Sequence, residues 1–226
     1  MKQFFMALPL LLLFSCSTTQ HTDSSQHSLY HKSQQWTVKE KDSWFSAKTI
    51  SLEDYTTTSR KNGLTETIFI KNPKDPFSFY LTGHDEKILI QTMNTRRAAF
   101  GNRSLPSFLE NLSDDAAIGY VLINGTRNAP LKRWEMILKP LTYLELNDNK
   151  PAGILRTTET DIRITAHNRF GKVNSYENIC YEFQYRGQPV AAVIPGGEKP
   201  RVWIQKETDP ELTKTLVAAI AALLLK

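Results

Sequence analysis

Five basic residues in the middle of the chain have the side chains best suited to bind an anionic ligand. They are Arg96, Arg97, Arg103, Lys132 and Arg133. A basic residue near an anionic bilayer contributes about 1 kcal/mol of attraction, so this group could bind an anionic lipid. The alternative is that these side chains are spread over a solvated surface and bind nothing.

Cys180 is the residue most able to act as a nucleophile, with His84 or His167 as a base that the fold would bring near. Against this, Ile179–Tyr181 forms part of an apolar stretch, where a free cysteine behaves as a small hydrophobe. His84 lies at a predicted hairpin turn and is more simply a solvated turn residue. The sequence also lacks the Gly-x-Ser-x-Gly and His-Glu-x-x-His motifs. We therefore predict no catalytic residues.

Two groups of residues could bind a metal ion. His21, His27 and His31 are spaced by six and four residues in a polar segment that would have to become ordered to bind. Asp114 and Asp115 could bind calcium, but the spaced ligands of an EF-hand loop are missing. We predict no metal site and no cofactor.

The amino terminus has the pattern of a bacterial export signal. Lys2 precedes an apolar run from Phe4 to Phe14, and Ser15 stands before Cys16. Because a helix needs about 20 apolar residues to cross a bilayer, this run is too short for an anchor and indicates a cleaved segment. We assign residues 1–15 to the signal peptide.

The sequence Leu13-Phe14-Ser15-Cys16 resembles the lipobox of bacterial lipoproteins. This resemblance implies cleavage between Ser15 and Cys16 and attachment of acyl chains at Cys16, which would hold the protein on a membrane. Ser17 after the cysteine implies sorting to the outer membrane of a Gram-negative host, facing the periplasm. The alternative is an ordinary secreted protein in which Cys16 lies at this position by chance.

Composition limits the remaining classes. The chain has 226 residues, a net charge of +5, 40% hydrophobic residues and two cysteines, which together indicate one globular domain without a disulfide scaffold. Its basic residues are scattered, so a nucleic-acid partner is not expected. Residues 16–43 are mostly polar and predict a lipidated, flexible tether, and residues 44–226 predict the folded domain.

The folded domain shows the pattern of an all-β protein. Short runs of β-branched and aromatic residues alternate with turn residues, as in half-buried strands. The predicted strands are 45–51, 64–71, 77–82, 87–92, 117–124, 133–139, 142–147, 154–158, 161–166, 176–184, 189–194 and 201–206. Apolar residues at helical spacing between Leu105 and Leu112 also predict a short helix across a barrel mouth or a sheet face.

A second helix is predicted from Asp209 to Leu225. Asp209 and Pro210 form a typical helix start, and the ten residues from Leu216 contain no polar side chain, so this helix must be surrounded on all sides. About 15 helical residues reach only about 22 Å, short of a bilayer core of about 30 Å. The interior of a barrel is the other possible surrounding. We therefore predict a mainly β fold, an antiparallel barrel of about twelve strands around a C-terminal apolar helix.

The end of the chain resembles the tubby C-terminal-like superfamily, which includes the LURP-one-related proteins and the phospholipid scramblases. The resemblance lies in residues 181–193, in Val202–Ile204 and in the helix that begins near Asp209. It implies a twelve-stranded barrel around one buried helix. Members of the family bind phosphoinositides or are associated with lipid movement. None of the family's basic or calcium-binding residues aligns with this chain, so none is transferred.

Together these observations predict a lipid-anchored, non-enzymatic envelope protein that binds an anionic lipid or an envelope protein through a tubby-like barrel. Two alternatives remain open. One is a lipid-tethered enzyme, which would need its histidines, Cys180 or an acidic pair to gather in a pocket. The other is a purely structural lipoprotein of the envelope.

Overall fold

A computed structural model of the chain describes residues 29–43, 46–101, 104–147, 149–171, 178–196 and 199–226. The predicted signal peptide, the predicted lipidation site Cys16 and the basic residue Arg103 lie outside these ranges, as do His21 and His27.

The described chain contains fourteen β-strands and one α-helix, α1 (Pro210–Leu225). In chain order the strands are β1 (Gln35–Trp36), β2 (Val38–Ser43), β3 (Ser46–Leu52), β4 (Tyr55–Thr57), β5 (Lys61–Asn62), β6 (Lys74–Gly83), β7 (Glu86–Arg96), β8 (Ala117–Ile123), β9 (Trp134–Leu138), β10 (Pro151–Arg156), β11 (Asp161–His167), β12 (Cys180–Tyr185), β13 (Gln188–Ile194) and β14 (Arg201–Ile204).

Thirteen of these strands form one nearly closed antiparallel barrel. Their hydrogen-bonded order is β1-β14-β13-β12-β11-β10-β9-β8-β7-β6-β4-β3-β2, and β5 pairs with β6 beside this path. The two ends of the path, β1 and β2, are separated in the chain only by Thr37. Residues 35–43 therefore pair with β14 on one side and with β3 on the other, and so close the barrel. Counted as one strand, they give the twelve strands that the sequence predicts.

Helix α1 occupies the interior of this barrel, as predicted. Asp209 caps it by accepting hydrogen bonds from the backbone N–H groups of Glu211 and Leu212, at 3.0 and 3.1 Å. Every residue from Thr215 to Leu225 is buried and packs against inward-facing strand residues in one core. No helix in the described ranges is long and apolar enough to cross a membrane. We call the end of the barrel where α1 begins the amino end, and the opposite end the carboxyl end.

Two smaller apolar clusters lie on the outer face of the sheet. One covers β7 to β10 and includes Ile118 and Leu109. The other covers β12 to β14, where Leu29, Cys180 and Trp203 pack together. The outward side chains of these strands are apolar because loops cover them.

Two predicted strands and the short predicted helix are wrong. The segment 64–71 is a loop, because the side-chain oxygen of Gln91 accepts the N–H groups of Thr65 and Glu66 and replaces a strand neighbour. The segment 142–147 begins within a 3-10 turn, Leu141–Tyr143, and forms no strand. Instead of a helix at 105–112 there is one 3-10 turn, Ser107–Leu109, on the outer sheet face.

The fold also begins earlier in the chain than the predicted boundary at residue 44. Leu29 is fully buried and β1 and β2 belong to the barrel, although the sequence predicts a tether over residues 16–43. The polar composition of β2 is misleading here, because its side chains lie on an exposed strand whose backbone supplies the pairing. The strands β4 and β5 also escape prediction, since they contain three and two residues.

Burial of α1 yields a direct test of the fold. The side chain of Ala219 is fully buried, so Ala219→Arg places an unpaired charge in the core and should destabilise the protein by about 4 kcal/mol or more. Thr213→Arg, in the partly exposed first turns of the same helix, should cost less than about 1 kcal/mol. Urea unfolding followed by circular dichroism measures both. Equal stability of the two variants would contradict a barrel filled by this helix.

Candidate functional site

The predicted basic residues lie in two separate places. Arg96 forms an ion pair with Asp115 at 3.0 Å, and the guanidinium of Arg97 donates to the carbonyl oxygens of Glu110 and Leu112 at 3.0 and 3.1 Å. These two arginines therefore bind groups of the chain itself.

The second pair lies at the other end of the sheet. The ammonium of Lys132 lies 5.5 Å from the ring centre of Trp134, and Arg133 forms an ion pair with Glu66 at 3.4 Å. Both Lys132 and Arg133 are exposed.

The structure does not bring the two basic pairs together. Arg96 pairs in register with the first residue of β8, and Trp134 pairs with its last residue. At about 3.3 Å per residue, the seven residues of β8 separate them by about 20 Å. The four predicted basic residues that the structure describes therefore do not form a single anion site. Lys132, however, lies at a cavity.

This cavity opens at the amino end of the barrel, and we call it the amino-end cavity. It has a volume of about 280 Å3. Helix α1 forms one wall through Leu212, and Ile88, Ile123 and Trp134 supply apolar surface from β7, β8 and β9. Lys132 lies among its lining residues. An apolar cleft with a few polar groups is the usual form of a small-ligand site.

An ion-pair network fixes the helix at this end. The ammonium of Lys214 lies 2.7 Å from a carboxylate oxygen of Glu86 and 2.7 Å from one of Glu211. Thr126 and Asn128 donate to Glu211 at 2.5 and 2.8 Å. The hydrogen bonds from Lys214 and Thr126 lower the pKa of Glu211 to about 2. Glu211 therefore stays ionised and bound to groups of the protein, and Asp209, the other carboxylate that lines this cavity, accepts the N–H groups that cap α1. Lys132 is the cationic residue of the lining, and it has no ion-pair partner among the described residues.

One further polar group in the amino-end cavity has no partner. The side-chain oxygen of Asn124 is buried and accepts no hydrogen bond in the described part of the chain, whereas its amide nitrogen donates to Glu66 at 3.1 Å. A buried acceptor without a donor is unfavourable. A ligand with a hydroxyl or amide group would satisfy it.

Cys180, the residue most able to act as a nucleophile, does meet a possible base, but in a closed environment. His167 and Cys180 are cross-strand partners, and both are buried under Tyr30. The hydroxyl of Tyr30 donates to Glu182 at 2.5 Å and lies 2.9 Å from a ring nitrogen of His167. His84 lies at the amino end, 3.6 Å from Asp54, and does not join them.

Burial keeps this cluster neutral apart from its ion pair. Burial raises the pKa of the Cys180 thiol to about 12 and lowers the pKa of His167 to about 3. A nucleophilic cysteine requires the opposite shift, toward the thiolate, and access to substrate. Glu182 is balanced by Arg169 at 3.6 Å. In the described structure these residues anchor the segment containing Tyr30 to the outer face of β12.

Neither of the two groups that could bind a metal ion is assembled among the described residues. His31 is exposed and contacts Ser33, and Asp115 pairs with Arg96. No cluster of three or more metal-ligating side chains occurs in the ranges that the structure describes.

The comparisons with known proteins add no relative. No protein-family model matches the chain, and the searches of curated proteins and of solved structures give no match. The resemblance to the tubby C-terminal-like superfamily therefore stays a prediction.

Sequence reasoning identified Lys132 but missed the apolar walls of the amino-end cavity. Trp134 follows the predicted basic pair directly, which is a usable signal, because a lysine and an aromatic ring attract each other and so tend to lie together. Ile88 and Leu212 carry no such signal. They reach the cavity only because Ile123 pairs with Trp134 and the helix enters the barrel at this end.

Proposed function

We propose that the chain is a lipid-anchored, non-enzymatic protein of the bacterial envelope that binds a lipid-like amphiphile at the amino-end cavity. In this proposal Cys16 carries the acyl anchor and the barrel faces the periplasm from the outer membrane. The observation that carries the proposal is the apolar cavity walled by α1, with the exposed ammonium of Lys132 among its lining residues.

The two parts of an amphiphile match the two parts of this cavity. An apolar chain would displace water from Ile88, Ile123 and Leu212, which favours binding through the hydrophobic effect. An anionic head group would lie near Lys132 at the surface. The volume of about 280 Å3 is at the lower limit of small-ligand sites, so the cavity would hold the end of one chain rather than a whole lipid.

The filled interior of the barrel supports a site at its end. Helix α1 occupies the centre with buried residues, so a ligand cannot enter there without displacing the core. The architecture of strands around a central helix is also the one that the tubby-like resemblance implies, and members of that family bind or move lipids.

Lipid attachment has a matched control within the chain, because Cys16 and Cys180 are its two cysteines. In cells labelled with an alkyne analogue of palmitate, Cys16→Ala should abolish labelling and release the protein from the membrane fraction. Cys180→Ala should leave both unchanged. Labelling of the Cys16→Ala protein would contradict the proposed anchor.

Amphiphile binding can be followed by quenching of tryptophan fluorescence in the unlipidated Cys16→Ala protein with a brominated dodecyl phosphate. Bromine quenches on contact, so quenching should saturate and should be largely lost in Trp134→Phe. Lys132→Glu should weaken binding about fivefold or more, since it reverses the charge beside the head group.

Lys41→Glu is the matched control for this experiment. Lys41 is exposed on β2 and does not line the amino-end cavity, and its substitution makes the same change in net charge. It should bind as the parent does. Equal binding by Lys132→Glu and Lys41→Glu would refute the site. Absence of any saturable quenching would refute lipid binding there and favour a protein partner, an enzymatic role or a structural one.

A further inference from the structure

A second cavity opens at the carboxyl end of the barrel, where α1 finishes, and we call it the carboxyl-end cavity. Its volume is about 760 Å3. The sixteen residues of α1 separate it from the amino-end cavity by about 24 Å. The two cavities share no lining residue. The polar and charged side chains that matter here are Arg60, Asn62, Asp75, Thr92, Asn94 and Lys226.

Lys226 places an unpaired ammonium group in the carboxyl-end cavity. Much of the residue is exposed, but its side chain reaches back over β8, so that a Cβ added to Gly119 would lie 2.9 Å from Nζ. Burial of the ammonium lowers the pKa of Lys226. Lys226 forms no ion pair with an acidic side chain in the part of the chain that the structure describes. A partly buried, unpaired cation is stabilised by an incoming anion.

Arg60 supplies a second positive group in a fixed position. Its Nη1 donates to the carbonyl oxygen of Leu225 at 3.1 Å, and its guanidinium lies 5.2 Å from the ring centre of Phe77. The contact with Leu225 offsets the partial negative charge at the helix terminus, which would otherwise repel an anion. A guanidinium has five N–H donors, so others remain for a ligand.

Thr92 provides independent evidence that the cavity is built for a ligand with acceptor oxygens. Thr92 is 2% exposed, and its hydroxyl has no hydrogen-bond partner in the described part of the chain. A buried hydroxyl is almost always bonded, so one that lines a cavity without a partner is a candidate ligand contact. The side-chain amides of Asn62 and Asn94 can donate from the same walls.

The acidic side chain at this site is Asp75, which is exposed. Among the side chains that line the cavity, two are cationic and one is a carboxylate, and the remaining polar ones are neutral. This balance favours a ligand that is an anion with several oxygens. The donors come from different strands, and a ligand with one carboxylate group could not reach them all.

We propose that the carboxyl-end cavity binds a phosphate group, with Arg60 and Lys226 as its charged ligands and Thr92 as a hydroxyl donor. The phosphate could belong to a lipid head group or to a soluble phosphate ester, since both present the same oxygens. This site is independent of the amphiphile site proposed at the amino end.

Two probes distinguish the sources of phosphate in the unlipidated Cys16→Ala protein. Glycerol 1-phosphate is titrated by calorimetry, and vesicles of phosphatidylcholine with or without phosphatidic acid are tested by co-sedimentation. Binding of glycerol 1-phosphate would assign the site to a soluble ester. Binding only to the vesicles that contain phosphatidic acid would assign it to a lipid head group.

Three variants test the residues. Lys226→Gln and Arg60→Gln should each weaken binding about tenfold, measured with whichever of the two probes the parent protein binds. Thr92→Val replaces the unpaired hydroxyl with a methyl group of similar size, so it should weaken binding without lowering the thermal midpoint. Lys61→Gln, an exposed neighbour on β5, should bind normally.

Lys132→Glu should also leave phosphate binding unchanged, which separates this proposal from the amino-end site. The proposal is overturned if neither probe binds, or if Lys226→Gln and Thr92→Val bind as tightly as Lys61→Gln. Because Lys226→Gln and Thr92→Val leave the contact between Arg60 and Leu225 in place, misfolding of Arg60→Gln alone would not decide the test.

Discussion

Burial of α1 inside the barrel is the constraint on which the rest of the structure depends. A helix whose last eleven residues are all buried cannot form alone in water, and a sheet curved around an empty centre would lose its core. Each therefore stabilises the other. The small side chains of Ala218, Ala219, Ala221 and Ala222 keep the helix narrow enough for the strands to close around it.

The filled interior determines where ligands can bind. Because the centre is packed, the two open ends of the barrel become the available concave surfaces beside the helix. At the amino end, the network around Lys214 uses the local charges and leaves an apolar cavity near Lys132. At the carboxyl end, Arg60 and Lys226 form no ion pair with a carboxylate in the described part of the chain, which is why we propose an anion site there.

The amino-terminal segment completes this arrangement. It closes the barrel at residues 35–43, and Tyr30 binds Glu182 on the outer face of β12. A buried carboxylate is tolerated only when it is paired and hydrogen-bonded, so Glu182 depends on both Tyr30 and Arg169. The same contacts bury Cys180, which explains why a Cys–His pair on adjacent strands is shielded from solvent.

Local patterns predicted the parts of the fold that depend on local sequence. The apolar run from Leu216 and the alternation in β7, β11 and β14 are sufficient to predict the barrel and its helix. The loop at 64–71 has the same alternation, but the distant side chain of Gln91 binds its backbone N–H groups in place of a neighbouring strand. The cavities could not be predicted from the sequence, because their lining residues are far apart in the chain. At the carboxyl end, for example, Arg60, Thr92 and Lys226 come together only through the pairing of the strands and the position of α1 in the barrel.

Hydrogen exchange of the α1 amides tests the central claim that this helix is the core of the barrel. If it is, the amides from Leu216 to Leu225 should exchange only through global unfolding, with protection free energies equal to the free energy of unfolding measured in urea. Exchange of these amides through a local opening, while the strand amides of β7 and β8 remain protected, would contradict the account.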